Sequence, residues 1–198
     1  MELRDLLARR RIVRSFDGTP VNLDWLESVC ADALRAPTAG NSAGVRMHTF
    51  GQPQLGDYFG VATDEQWRTT SRRLPGLLGA GAGVIVTSRV DDYLLRYAEA
   101  DKASSGLTEL DAWPIPYWHT DAAMATMALL LLLEEAQWRS TLWGNFRHEA
   151  QVLAWAGIEG EQLFATVFIG RGDGRDVASA SLRRDVPSRE ARVSRVRA

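Results

Sequence analysis

The sequence has a single cysteine, Cys30, and a single lysine, Lys102. One cysteine cannot form an intramolecular disulfide or a cysteine-based metal cage, so disulfide scaffolds and cysteine zinc sites are excluded. Cys30 lies in an apolar pattern with helical spacing, and we expect its thiol to be buried and inert. The cysteine usage and the lack of an apolar signal segment near the N-terminus together favour a cytoplasmic protein.

Long hydrophobic runs and metal-binding patterns are also missing. The run Leu129–Leu133 is apolar, but two glutamates follow it, and it is far shorter than the ~20 residues of a membrane span. We therefore expect no membrane partner. The formal net charge of −2 does not indicate a nucleic-acid partner. No metal is expected either, because acidic residues do not stand at metal-ligand spacing from the three histidines, which are His48, His119 and His148.

Positive charge is concentrated at the two ends of the chain. Residues 1–16 contain five arginines against two acidic residues, and residues 171–198 contain eight arginines against four acidic residues. The body between them is therefore acidic. With 198 residues, the chain is long enough to bury a sizeable core. We predict one domain over residues 1–198, with a basic C-terminal arm from about residue 171.

The hydrophobic pattern predicts several helices and a few strands. Helices are expected at residues 2–9, 23–35, 64–73, 91–100, 119–137 and 147–156, and strands at residues 45–51, 84–87 and 163–169. Asn22 is typical of a helix N-cap, and Gly157 of the residue that ends a helix. The helix at 119–137 is apolar almost all round, which predicts a buried central helix with Asp121 as its N-terminal cap. This layout predicts an α+β fold.

The segment from residue 10 to residue 16 is a candidate anion site. It contains Arg10, Arg11 and Arg14 just before a turn. The guanidinium group presents a planar fork of donors that suits phosphate oxygens. The alternative is a solvated charged surface without a ligand, as most charge clusters are.

Two further segments could bind the flat, polar part of the same ligand. The loop Pro37–Asn41 follows a helix, and its backbone groups, Thr38 and Asn41 are available for hydrogen bonds. The second segment, Ser140–Phe146, is expected to be a connecting motif after the central helix, around Trp143-Gly144-Asn145. A flat cofactor with a phosphate group would use all three segments.

In order and spacing, these segments resemble the FMN-dependent nitroreductase family over about residues 8–186. The segment Arg10–Phe16 is similar to the family's opening Arg-Arg-Ser-x-Arg-x-Phe motif. The segment Pro37–Val45 is similar to its Pro-Ser-Ala-x-Asn-x-Gln-Pro-Trp loop. Leu142-Trp143-Gly144 is similar to the turn after its central helix, and Phe168-Ile169-Gly170 to the end of its last strand.

The resemblance implies both an architecture and a reaction. It implies an intertwined α+β homodimer, in which a central sheet is flanked by helices and two flavins lie at the interface. NAD(P)H would reduce FMN and leave, and a small organic acceptor, such as a nitroaromatic or a quinone, would take the electrons in the same pocket. The flavin carries this chemistry, so no catalytic side chain is expected.

The resemblance also implies which residues hold the cofactor. The residues implied for the FMN phosphate are Arg10, Arg11 and Arg14, with Arg183 or Arg184 from the C-terminal side. Those implied for the isoalloxazine ring, from the partner subunit, are Pro37, Thr38, Ala39 and Asn41. Those implied near the reactive flavin nitrogen, mostly through backbone atoms, are Trp143, Gly144 and Asn145. Two roles are equally open for Trp113, Tyr117 and Trp118: they form a lid over the substrate, or they pack in the dimer interface.

The sequence departs from the family pattern at several positions. Ile12 stands where the family has a serine that would bond the phosphate, and Ala43-Gly44-Val45 replaces the Gln-Pro-Trp end of the loop. Ala128 stands near a frequent asparagine of the central helix. Each missing hydrogen bond costs about 1 kcal/mol of binding. The alternative function is therefore a non-catalytic protein of the same fold that binds or sequesters flavin. A third is a protein that binds partners through its basic arm.

Overall fold

The computed structural model describes residues 2–176 and 179–196. Its helices are α1 (Leu3–Arg9), α2 (Leu23–Ala33), α3 (Leu55–Ala62), α4 (Glu65–Thr70), α5 (Leu74–Leu77), α6 (Val90–Ala98), α7 (Tyr117–Glu135) and α8 (Glu149–Ala156). Its strands are β1 (Val45–Gly51), β2 (Ala82–Ser88), β3 (Arg139–Trp143) and β4 (Gln162–Gly170). The predicted α+β class is confirmed.

The four strands form one antiparallel sheet in the order β1-β2-β4-β3. Every residue of β2 is buried, because β2 lies inside the sheet and is covered on both faces. Successive side chains of a strand point to opposite faces. Val84 and Val86 accordingly pack into one core and Ile85 into the other. This accounts for the continuous apolar pattern of β2 in the sequence.

The first core lies between the sheet and helices α2 and α7. Its fully buried members include Leu26, Ala33, Val84, Ala122, Leu129 and Leu133. The second core lies on the opposite face, against α3 and α8, and is rich in aromatic rings. Its fully buried members include Leu55, Tyr58, Phe59, Val152 and Phe168. Burying each large apolar side chain contributes about 1.5–3 kcal/mol, so both cores stabilise the sheet that carries the site.

Helix α7 is buried on one side only. Ala125 and Leu129 face the sheet, with at most 2% of their surface exposed. On the opposite side, Met124 is 42% exposed, and Met127 and Leu131 are half-buried. The helix therefore presents a second apolar face that no described residue covers. No helix in residues 2–176 and 179–196 is long and apolar enough to cross a membrane.

Both predicted helix ends are confirmed. Asn22 caps α2, because its Oδ1 accepts a hydrogen bond from the backbone N–H of Trp25 at 2.8 Å. Gly157 ends α8 in the left-handed region, with φ of 67°, and the N–H of Ile158 donates to the carbonyl of Leu153. These ends are set by local geometry, which explains why the sequence predicted them.

Two predictions from the sequence were wrong, and two helices were missed. The segment Ser140–Phe146 is not merely a connection, because β3 begins at Arg139 and pairs with β4. Asp121 does not cap α7, which begins at Tyr117, so that Asp121 lies inside the helix. The missed helices are α3 and α5. Pairing of β3 with β4 is a long-range contact, which a local pattern of serine, threonine and tryptophan does not report.

His119, in the first turn of α7, is expected to make stability depend on pH. Its ring lies near those of Trp118 and Phe164, its Nδ1 is buried without a hydrogen-bond partner, and burial lowers the pKa of the imidazole. Glu149 opposes this effect but does not reverse it. The unfolded chain binds this proton more readily than the folded chain. Stability is therefore complete above the ordinary histidine pKa of about 6.5 and falls as the pH drops below it.

The substitution His119→Phe keeps a ring in this position and removes the proton-binding group. In urea unfolding experiments at a series of pH values, the wild type should lose more stability than the variant as the pH falls below about 6.5. Parallel pH profiles for the two proteins would show that His119 does not titrate differently on folding.

Candidate functional site

A cleft of about 490 Å³ opens beside the end of β3. Its volume lies in the range of small-molecule sites. The residues that line it come from the N-terminal segment, the α3–α4 region, the start of α5 and the β3–α8 connection. They are Arg14, Ala62, Thr63, Asp64, Trp67, Arg73 and the continuous run Thr141–His148. The structure therefore brings Arg14 together with Trp143, Gly144 and Asn145, as the sequence predicted for one ligand.

The cleft carries unbalanced positive charge. Within the described ranges, the guanidinium groups of Arg14, Arg73 and Arg147 form no hydrogen bond or ion pair. Asp64 is the one acidic residue of the lining, and its carboxylate already accepts the N–H of Trp67 at 2.7 Å as the cap of α4. Three unpaired guanidinium groups around one cleft attract an anionic ligand.

Arg14 is held in place by its own backbone segment. The N–H of Val13 donates to the carbonyl of Ser140 at 3.0 Å, and the N–H of Phe16 donates to the carbonyl of Gly76 at 3.1 Å. The next bond in this series joins the N–H of Gly18 to the carbonyl of Gly79 at 2.8 Å. Arg14 thus lies between an anchor to β3 and an anchor to the α5 region.

The glycines before β2 make this close approach possible. A Cβ atom at Gly79 would lie 2.2 Å from the carbonyl oxygen of Phe16, and one at Gly76 would lie 2.6 Å from that of Arg14. No side chain fits at these distances, so the glycine-rich stretch serves backbone packing against the arginine segment.

Aromatic rings form one wall of the cleft. Trp67 and Trp143 meet edge to face, with ring centroids 5.3 Å apart. Phe59 packs beneath both, at 6.3 Å from Trp67 and 5.8 Å from Trp143. Such contacts restrict the rings as well as burying apolar surface. The wall is therefore rigid and suited to a flat ligand.

A closed ring of three hydrogen bonds fixes the other wall. The hydroxyl of Tyr58 donates to Oγ1 of Thr166 at 2.7 Å, and the hydroxyl of Thr166 in turn donates to Oδ1 of Asn145 at 3.1 Å. Nδ2 of Asn145 donates back to the hydroxyl of Tyr58 at 2.9 Å. Burial raises the pKa of Tyr58 to about 12, which keeps its hydroxyl a donor. The side chain of Asn145 is thus committed to hydrogen bonds within the protein.

The residue before Asn145 is a glycine that an aromatic ring covers. The ring of Phe146 lies over Gly144, and a Cβ atom there would approach the ring to 2.6 Å. Phe146 itself is 96% exposed. A larger residue at position 144 would push this aromatic side chain away from the rim of the cleft.

The other predicted phosphate residues lie outside the cleft lining. Arg11 donates from Nη1 to the carbonyl of Ala8 at 2.6 Å, at the end of α1. Nε of Arg10 is buried without a partner. Arg183 and Arg184 are exposed, at the end of the 3₁₀ turn Ala180–Arg183 and directly after it. Their role in phosphate binding stays a prediction.

The C-terminal arm nevertheless leaves the fold beside the arginine segment. Oγ of Ser15 donates to Oδ2 of Asp173 at 2.7 Å, and Phe16 forms an antiparallel bridge with Gly172. The N-terminal arginine segment and the beginning of the basic C-terminal arm therefore lie side by side.

The loop Pro37–Asn41 does not line the cleft of its own chain. It lies against α6 and the start of α7, where the N–H of Ala39 donates to Oδ2 of Asp121 at 2.8 Å. Trp113 and Trp118 are buried around Tyr93 in the same region, and each is 7% exposed. Tyr117 is 36% exposed. The ring contacts of this loop and the substrate role of the three aromatics stay predictions.

Several residues of the cleft were missed from the sequence, among them Trp67, Arg73 and Arg147. Trp67 and Arg73 were predicted only as part of a helix at residues 64–73. The available signal for Arg73 was the pair Arg72-Arg73, which stands three residues before Gly76. Gly76 approaches the backbone of Arg14, and this contact brings Arg73 close to the arginine segment. Tyr58 and Thr166 gave no signal, since their hydrogen bonds join positions far apart in the chain.

The sequence model of the nitroreductase family matches residues 7–171. The chain belongs to the nitroreductase family. The match covers both the arginine segment and the cleft. As a member of this family, the chain is an oxidoreductase of nitroreductase type.

Solved structures of nitroreductase-like proteins share the fold. The enone reductase CLA-ER of gut-bacterial fatty acid saturation is 15% identical, with a TM-score of 0.69 over 94% of this chain and 98% of that chain. A protein named as a nitroreductase from Desulfovibrio desulfuricans, in complex with FMN, is 15% identical, with a TM-score of 0.65 over 95% and 98% of the two chains. A protein named as an NAD(P)H:FMN oxidoreductase from Staphylococcus epidermidis is 13% identical, with a TM-score of 0.66 over 94% and 96%. No curated protein matches the chain.

Breaking the hydrogen-bond ring should destabilise the nitroreductase fold. The substitution Tyr58→Phe leaves Oγ1 of Thr166 without the hydroxyl that donates to it and Nδ2 of Asn145 without its acceptor. We expect a loss of about 1–3 kcal/mol in the free energy of unfolding, measured with urea. The matched control is Tyr117→Phe, whose hydroxyl bonds to no described residue and should change stability by less than about 0.5 kcal/mol. Equal effects of the two substitutions would contradict the ring.

Proposed function

We propose that the chain is an NAD(P)H oxidoreductase of nitroreductase type that binds FMN and transfers electrons to a small conjugated acceptor by a ping-pong mechanism. The cleft carries this proposal, because it combines three unpaired guanidinium groups with a rigid aromatic wall and the backbone of Trp143-Gly144-Asn145. FMN, when bound, supplies the hydride-accepting and hydride-donating chemistry. The acceptor class we propose is a nitroaromatic, a quinone or a related conjugated compound.

The residues present fit FMN, which has a flat ring system and a terminal phosphate. Arg14 and Arg73 offer charged donors inside the cleft. Arg10 adds a buried Nε with no partner among the described residues, which is a group that needs an acceptor. We propose that Arg10, Arg11 and Arg14 hold the phosphate and the neighbouring hydroxyl groups. Arg183 or Arg184 completes this set from the arm.

The protein side chains position the ligand and exclude water. Trp67 and Trp143 shield one side of the cleft, and Asn145 orients the connection that contains Gly144. No side chain is assigned a proton-transfer role. We propose that the nicotinamide and the acceptor use the same space, between the exposed rim of the cleft and Tyr117 of a second copy of the chain.

We propose a homodimer as the working form. The outward face of α7 is apolar, with Met124 42% exposed, and a second copy of the chain would bury it. The loop Pro37–Asn41 does not line the cleft of its own chain. This supports the proposal that the loop contacts the flavin bound by the partner subunit. The site would then be complete only in the dimer.

Arginines that line the cleft should matter for FMN binding, whereas a neighbouring arginine should not. The substitutions Arg14→Ala and Arg73→Ala each remove a charged donor and should weaken FMN binding by about 10- to 100-fold, as charged hydrogen bonds are worth about 1.5–3 kcal/mol. Arg72→Ala is the matched control, because Arg72 is exposed and adjacent to Arg73 but does not line the cleft. Quenching of FMN fluorescence measures each dissociation constant. Equal affinities in all variants, or a wild type that binds no FMN, would refute the proposed site.

One observation favours a non-catalytic flavin-binding protein as the second candidate. Ile12 bridges to Ser140 through its backbone, and its side chain has no donor for a phosphate. The FMN-loaded protein should oxidise NADH or NADPH in the presence of a quinone, with the parallel double-reciprocal plots of a ping-pong mechanism. FMN binding without any such turnover would favour the second candidate.

A further inference from the structure

Asp121 is a buried carboxylate that the proposed chemistry does not use. It lies in the second turn of α7 and is 1% exposed. Among the described residues, it forms no ion pair with a lysine, arginine or histidine. Burying a carboxylate without a cation is costly unless strong donors surround it. The identity of those donors therefore shows what the residue does.

Two donors share one oxygen of this carboxylate. The backbone N–H of Ala39 donates to Oδ2 at 2.8 Å, and the hydroxyl of Tyr93 donates to the same atom at 2.9 Å. Tyr93 is fully buried, and burial together with the adjacent carboxylate raises its pKa, so its hydroxyl remains a donor. Asp121 thus ties the middle of the loop Pro37–Asn41 to α6 and α7.

Helix α6 also contacts the loop Pro37–Asn41 directly, without Asp121. Nε of Arg96 donates to the carbonyl of Gly40 at 2.8 Å, while both terminal nitrogens of Arg96 bind Asp101 at 2.7 Å. The ring of Tyr97 lies under Gly40, where a Cβ atom would approach it to 2.7 Å. Tyr93, Arg96 and Tyr97 lie three and four positions apart, on one face of α6. The loop therefore rests on a built surface, with Asp121 as its buried anchor.

We propose that Asp121 is a positioning residue, which holds the backbone of Thr38–Asn41 in the conformation that contacts FMN. This inference rests on the proposed function, in which that loop contacts the flavin ring. Asp121 acts through the N–H of Ala39 and not by touching the cofactor. A carboxylate accepts hydrogen bonds about twice as strongly as a neutral oxygen, which suits an anchor that must hold two donors.

The test compares three substitutions on α7. Asp121→Ala removes the acceptor of Ala39 and Tyr93, and Asp121→Asn keeps an oxygen of the same size without the charge. Thr126→Val is the matched control, because Thr126 is 2% exposed on the same helix and its hydroxyl donates to the carbonyl of Ala122, away from the loop. All four proteins are measured for urea stability, FMN affinity and amide hydrogen exchange of residues 38–44 without FMN.

Thr126→Val should lower stability and leave the FMN affinity within about 2-fold of the wild type. Asp121→Ala should weaken FMN binding by about 10-fold or more and remove the exchange protection of Ala39, and Asp121→Asn should restore part of both. If Asp121→Ala does not fold, Asp121→Asn is compared with the wild type instead, and the inference predicts faster amide hydrogen exchange at Ala39 in this variant. Wild-type FMN affinity and Ala39 protection in the folded Asp121 variants would overturn the inference. A wild type that binds no FMN would instead overturn the proposed function.

Discussion

The site depends on the backbone contact between the arginine segment and the glycines before β2. Gly76 and Gly79 let the chain at residues 14–18 approach without side chains in between, and hydrogen bonds from Phe16 and Gly18 fix the spacing. The bond from Val13 to Ser140 ties the same segment to the edge of the sheet. These three anchors fix the backbone around Arg14, so that only its side chain has to be ordered when an anion binds, which favours affinity.

Rigid polar anchors recur on both sides of the molecule. The ring of Tyr58, Thr166 and Asn145 orients the connection after β3, and Asp121 orients the loop at residues 38–41. In both places a buried polar group forms hydrogen bonds that stabilise one conformation of a neighbouring loop. The residues predicted to contact the flavin ring are small or bond through their backbone. Their geometry therefore depends on neighbours that never contact the ligand.

The sequence was most informative where structure is local or periodic. Asn22, Gly157, the alternating and apolar strands and the long apolar helix all follow from the residues that surround them, and their presence was confirmed. The described residues bury only one side of the long helix. The strand β3 was missed because it exists only through its pairing with β4. The buried role of Asp121 was mistaken for a cap, since an acidic residue before an apolar run looks the same in either case. Arg73 enters the cleft through the turn of α5, which no local pattern reports.

The central claim is that the cleft beside β3 holds the flavin. A crystal structure of the protein grown with FMN tests it most directly. The account predicts the isoalloxazine ring against the backbone of Trp143-Gly144-Asn145, the phosphate on the arginines of residues 10–14, and the loop at residues 38–41 of a second subunit over the ring. Electron density for FMN at any other position, or a cleft filled by its own side chains while FMN is bound elsewhere, would contradict the account.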